Sequence, residues 1–173
     1  MQPGALGRIA STVFAIAAIA FLTWLKNQPS APSSAPSFSE ISNGHYDLGR
    51  DEQLGGHTLE RHINRSDEQL MERLEREPDI SAASTYRDRA AAEQTVASAL
   101  TAQRDRLESW LNRPDYHPNL SLQYHGRDPI GRCIRRGGRT PELCYDAVVV
   151  LRWDGDHRFH VLTTYPEEPR RGQ

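Results

Sequence analysis

Apolar residues change their spacing twice along the chain, and each change marks a different kind of segment. From Ala5 to Leu25 the sole charge is Arg8, and Ile9–Leu25 is almost wholly apolar. That run matches the roughly 17–25 residues a helix needs to cross a bilayer. Trp24 and Lys26 stand at its exit, where an amphipathic ring and a cation are favoured. Residues 1–26 therefore read as a single transmembrane helix, with a cleaved secretory signal as the alternative. The anchor is favoured because the run is long and no A-x-A pattern follows it at once. On this reading the rest of the chain sits on the periplasmic or extracellular side, or is secreted after cleavage. Residues 27–45 begin NQPSAPSSAPSFS, a Pro/Ser-rich linker with nothing to bury.

Residues 46–173 turn charged and periodic, and form one domain. His57–Arg65 follows a Gly-Gly entry as a short helix. Ser66 and Gln69 form a capping box for a second helix, with Leu70, Met71 and Leu74 on its inner face and Pro78 just past its end. Ala92, Val96, Leu100, Leu107 and Leu111 keep a helical stripe over a long helix, Asp88–Leu111. Ile80–Ser84 is a short extended piece. The spacing then changes to strands at Leu120–Tyr124, Ala147–Trp153 and Phe159–Tyr165. Asp154-Gly155-Asp156-His157 joins the last two as a hairpin. Helices followed by a small twisted antiparallel sheet make an α+β domain.

Charge narrows the choice of partner. Beyond Ser39 the chain carries 19 basic and 23 acidic residues, so a broad nonspecific grip on nucleic acid is not expected. Any RNA contact must be local. Arg127, Arg132, Arg135, Arg136 and Arg139 crowd the glycine-rich GRDPIGRCIRRGGR, and Arg132, Arg135 and Arg136 are the candidate substrate-binding residues. The competing reading is a solvated loop, or a patch that an acidic partner covers. Cys133 and Cys144 either close a short loop in an oxidising compartment or are two unrelated thiols. No zinc-type Cys/His spacing occurs, and neither a metal nor a cofactor is expected.

Candidate chemistry lies in GGHTLERHINRS (residues 55–66) and HVLTTY (residues 160–165). Alternation places Phe159, Val161, Thr163 and Tyr165 on one strand face and His160 on the other. Two hydroxyls beside an imidazole can donate to phosphate oxygens or protonate a leaving alkoxide. In one regular helix His57 and His62 stand about 140° apart, so both enter one site only if the helix breaks near Gly56 or Asn64. His45, His117, His125 and His157 read as surface residues of turns and loops.

The order of segments, GGHTLERHINRSDEQLMERL, ISAASTYRDRAAAEQTVASAL, a Trp-Leu near a helix end, VVVLRW and HVLTTYP, resembles the bacterial RNase A-like toxin domain of contact-dependent growth inhibition proteins. The resemblance covers nearly all of Leu54–Pro166. It implies an RNase A-like α+β fold, a metal-independent RNA endonuclease and an immunity protein partner; cleavage through the 2′-hydroxyl would confine the substrate to RNA, so no DNA is expected. By the resemblance His57 corresponds to the catalytic histidine and Arg65 to the phosphate-stabilising cation. Thr163 and Tyr165 correspond to the assisting hydroxyls, and His62 matches a second motif histidine whose role, chemical or structural, stays open. Arginine supplies a fixed fork for nonbridging oxygens. The alternative function is a catalytically inactive, membrane-tethered domain of the same fold that binds an immunity-like protein.

Overall fold

The computed structural model describes Ile41 and residues 46–168. Three short helices, α1 (Leu48–Gln53), α2 (Thr58–His62) and α3 (Asp67–Arg76), precede strand β1 (Ala82–Tyr86). Helices α4 (Arg89–Ala102) and α5 (Arg104–Leu111) follow. The chain then forms β2 (Leu120–His125), β3 (Gly131–Arg135), β4 (Glu142–Cys144), β5 (Asp146–Gly155) and β6 (Arg158–Glu167).

The α+β class holds, with two corrections. The first concerns the membrane. Among the described residues no helix is long and apolar enough to span a bilayer. The longest of them, α4, has 14 residues, short of the roughly 17–25 required. The expected span at 1–26 lies outside the described residues, as does the linker at 27–45 apart from Ile41. The expected transmembrane helix and membrane-side localisation thus find no support in the structure.

The second correction concerns the sheet. Two three-stranded antiparallel sheets form, in the orders β1-β3-β4 and β2-β5-β6. The arginine-rich segment read as a loop supplies β3 of the first, and β4 follows it in the chain. Its apolar positions, Ile130, Cys133 and Ile134, are all buried, a signal that the glycines and arginines around them obscured. Cys133 and Cys144 form a disulfide across these two strands, 11 residues apart in sequence.

Local chemistry explains the element ends. The Ser66–Gln69 capping box is present in full at the start of α3. Asp88 caps α4 by accepting from the Ala91 N–H at 2.7 Å. The expected long helix is broken at Gln103, whose backbone leaves helical values while its amide donates to the Gln123 carbonyl at 2.6 Å. That bond ties the helix break to β2. The hairpin between β5 and β6 turns at Asp156 and His157, with φ of 50° and 56°, as a two-residue type I′ turn requires.

The main core joins α4 and α5 to the β2-β5-β6 sheet through buried residues such as Val96, Leu100, Leu107, Leu122, Val149 and Val161. A smaller cluster of Leu70, Leu74, Ala83 and Ile134 sets α3 on the other sheet. The sheets meet at their edges, β1 and β6, where the Tyr86 hydroxyl lies 2.6 Å from the Thr164 hydroxyl. Beside that seam sit α2 and α3.

Candidate active site

Gly56 brings the first histidine to the seam. A Cβ there would lie 2.7 Å from the Val161 carbonyl oxygen and 2.9 Å from that of Asp51, so only glycine lets the backbone approach β6 this closely. His57 then donates its backbone N–H to the Leu162 carbonyl at 3.1 Å. Asp51, buried in α1, accepts from the Val161 N–H at 2.8 Å and from the Tyr46 hydroxyl at 2.7 Å. Thr58 continues the seam by accepting the Thr164 N–H at 2.9 Å. Three consecutive stretches, α1, the Gly-Gly turn and the first turn of α2, are thus pinned to one strand.

The helix break resolves the geometry of the two histidines. His57 is the N-cap of α2, with φ −146° and ψ 27°, and is not itself helical. The helix lasts only through His62, and Asn64 takes φ 52°. The spacing that separates two residues of one regular helix therefore does not apply. His57 and His62 both line a cavity of about 680 Å³, together with Thr163, Tyr165, Ser84, Arg73 and Arg135.

A bulge in β6 brings Thr163 and Tyr165 there. Val150 pairs with Thr163 and Leu151 with Val161, so Leu162 is an extra residue. An inserted residue shifts the phase of alternation. Val161 and Thr164 are consequently both fully buried, three positions apart. The expected shared face of Phe159, Val161, Thr163 and Tyr165 is corrected: the first two enter the core, and the second two line the cavity. His160 is buried elsewhere, its Nδ1 2.7 Å from the Asp154 carboxylate. His117 stacks on Trp153 at 3.9 Å between ring centroids and is half-buried, not a free surface residue.

Electrostatics distinguish the two imidazoles. Burial, reinforced by the Arg73 charge, lowers the His62 pKa to about 3. Its Nδ1 stands 3.3 Å from the Ser84 carbonyl oxygen. A carbonyl only accepts, so Nδ1 carries the hydrogen and Nε2 keeps the lone pair. His57 is lowered too, chiefly by burial and then by Arg61, with Glu52 and Glu60 opposing. Burial and then Glu167 push the Tyr165 hydroxyl above its ordinary value, so it holds its proton. Its ring lies 5.5 Å from that of His62 between centroids. The Thr163 hydroxyl is buried without a hydrogen-bond partner.

Residues 56–166 match the family model described as the bacterial CdiA-CT RNAse A domain. The chain belongs to that family. The CdiA-CT RNAse A domain is a ribonuclease toxin domain, and the resemblance read from sequence is borne out. A solved CdiA-CT/CdiI complex from Y. kristensenii is similar at a TM-score of 0.59 and 24% identity, covering 65% of this chain and 99% of that chain. At that identity the likeness shows the fold. Among curated proteins none matches the chain.

In this CdiA-CT RNAse A domain the cavity gathers His57, His62, Thr163 and Tyr165 but not Arg65, which lines two neighbouring hollows. Arg65 is held at its backbone, its N–H donating to the Thr85 hydroxyl at 3.0 Å. Of the three arginines expected to bind substrate, only Arg135 faces the cavity, paired with Glu168. Arg132 pairs with Asp67 at 2.8 Å. Arg136 is spent on the Glu77 and Ile80 carbonyls at 2.7 and 3.0 Å. Sequence reasoning passed over Arg73, which follows Leu70 by three residues and so shares the inner face of α3.

Proposed function

We propose that this domain cleaves RNA without a metal, by attack of the ribose 2′-hydroxyl on the neighbouring phosphate. The observation that carries the reading is the single cavity lined by His57, His62, Thr163, Tyr165 and Arg73. His57, the less buried imidazole, takes the 2′-hydroxyl proton as general base. The 2′-oxygen bonds to phosphorus, the bond to the 5′-oxygen breaks, and a 2′,3′-cyclic phosphate remains. Arg73 stabilises the charge on the phosphorane, assisted by the unpartnered Thr163 hydroxyl. Tyr165 protonates the departing 5′-oxygen and recovers a proton afterwards. His62 stays neutral and presents Nε2 to the reacting groups. Because the nucleophile belongs to ribose, DNA is not a substrate.

The decisive experiment incubates the purified full chain with RNA in EDTA. Wild-type protein is expected to generate cyclic-phosphate ends, and His57→Ala to lose about 10²–10⁴-fold in rate. Equal rates in the two proteins would overturn the site assignment. The CdiA-CT/CdiI neighbour supports an immunity protein partner for this domain as well. Inhibition of cleavage at one equivalent of such a partner tests that part.

A further inference from the structure

A second hollow, about 540 Å³, lies between α2 and α3 and is lined by Arg61, Arg65, Arg73 and Arg76 among other residues. Two of these are already engaged: Arg73 pairs with Glu77 at 3.3 Å and Arg76 with Glu72 at 4.0 Å. Arg61 and Arg65 have no carboxylate partner among the described residues, and Arg65 uses only its backbone in hydrogen bonds. Against their two charges stands Glu60, the lining glutamate left without an ion pair.

The hollow adjoins the catalytic cavity, and Arg73 lines both. Besides Arg73 that cavity is lined by the Arg135–Glu168 ion pair and by Asp79 and Glu167, whose charges repel a polyanion. An RNA strand held at the scissile phosphate therefore meets unpaired cations past Arg73, between α2 and α3.

We propose that this groove is a phosphate subsite, in which Arg61 and Arg65 hold the backbone phosphate of a nucleotide flanking the scissile one. It rests on the ribonuclease reading above. The subsite adds affinity and sets register for longer strands while leaving the reacting atoms untouched. It also explains how an acidic domain holds RNA, since the grip is confined to one groove.

The test compares a dinucleoside monophosphate, which has no flanking phosphate, with a longer single-stranded oligoribonucleotide. Rates are read on the plateau of the pH profile, since Arg61 also bears on His57. Arg61→Ala is expected to lower kcat/KM on the long strand about tenfold, and to leave the dinucleotide rate unchanged. Each lost contact should also reduce the dependence of log binding on log salt by about 0.7. Arg65→Ala should divide the two substrates in the same way, and lysine at either position should restore part of the loss. Equal losses on both substrates, or none on the long strand, would overturn the subsite. A wild-type protein that cleaves neither substrate would instead overturn the ribonuclease reading. Loss of immunity protein binding with unchanged long-strand cleavage would assign the groove to the protein partner and also overturn the proposal.

Discussion

The Nδ1 of His62 lies 3.3 Å from the Ser84 carbonyl oxygen, and this one contact sets the tautomer of a buried imidazole. With Nδ1–H turned to β1, burial and Arg73 lower the pKa to about 3. Unfolded, the same side chain titrates near about 6.5. Below that pH the unfolded chain binds a proton that the folded chain refuses. The stability His62 contributes is thus fully present above about pH 6.5 and lost as pH falls toward 3, at up to about 1.4 kcal/mol per pH unit. Urea unfolding at several pH values checks this: the difference between wild type and His62→Gln should narrow on acidification. Parallel profiles would show that His62 accepts a proton in place.

His57 is expected to control the acidic limb of the rate. Burial and Arg61 lower its pKa while Glu52 and Glu60 raise it, so the base form persists below the ordinary histidine midpoint. Activity as kcat/KM should fall on the acid side at a pH below about 6.5. Glu60→Gln removes an opposing charge and should move that limb further down. An upward movement would mean that a different group governs it.

The legibility of this chain follows the range of the forces involved. The capping box of α3, the β5–β6 hairpin and the apolar strands β2, β5 and β6 are written in neighbouring residues, and these could be read. The geometry of the histidines could not, because it depends on how close Gly56 comes to Val161 and on the short length of α2. Nor does the sequence betray the extra residue at Leu162, whose bulge is defined only by pairing with β5. Thr163 and Tyr165 reach the cavity through that bulge and not through the regular alternation that first grouped them. Arg65 and Arg73 are both basic residues near the motif, and only the packing of α3 on β1 separates their surroundings.

Gly56→Ala should be the most damaging small substitution near the site. Its Cβ would meet two carbonyl oxygens of the backbone, at 2.7 and 2.9 Å, and neither can rotate away. The turn must retreat from β6, carrying His57 with it. Activity is expected to fall at least about 10²-fold, since displacements near 1 Å are that costly. Thermal unfolding of the variant and its rate on a dinucleotide measure both effects. Near-normal rates would show that His57 does not require this anchorage.

Two adjacent threonines should respond to valine in opposite ways. Thr164 is fully buried and satisfied: its hydroxyl donates to the Val148 carbonyl at 2.8 Å and lies 2.6 Å from the Tyr86 hydroxyl. Removing it orphans the buried Tyr86 hydroxyl, which should cost about 1–3 kcal/mol. Thr163 has a buried hydroxyl with no partner, so Thr163→Val removes an unmet desolvation cost and should leave stability unchanged or raised by about 1 kcal/mol. Its activity should nevertheless drop by roughly 10-fold or more if, as proposed, the hydroxyl donates to a phosphate oxygen. Chemical denaturation and RNA cleavage on the two variants separate a structural hydroxyl from a functional one. A Thr163→Val protein as active as wild type would remove that residue from the site, whatever its stability.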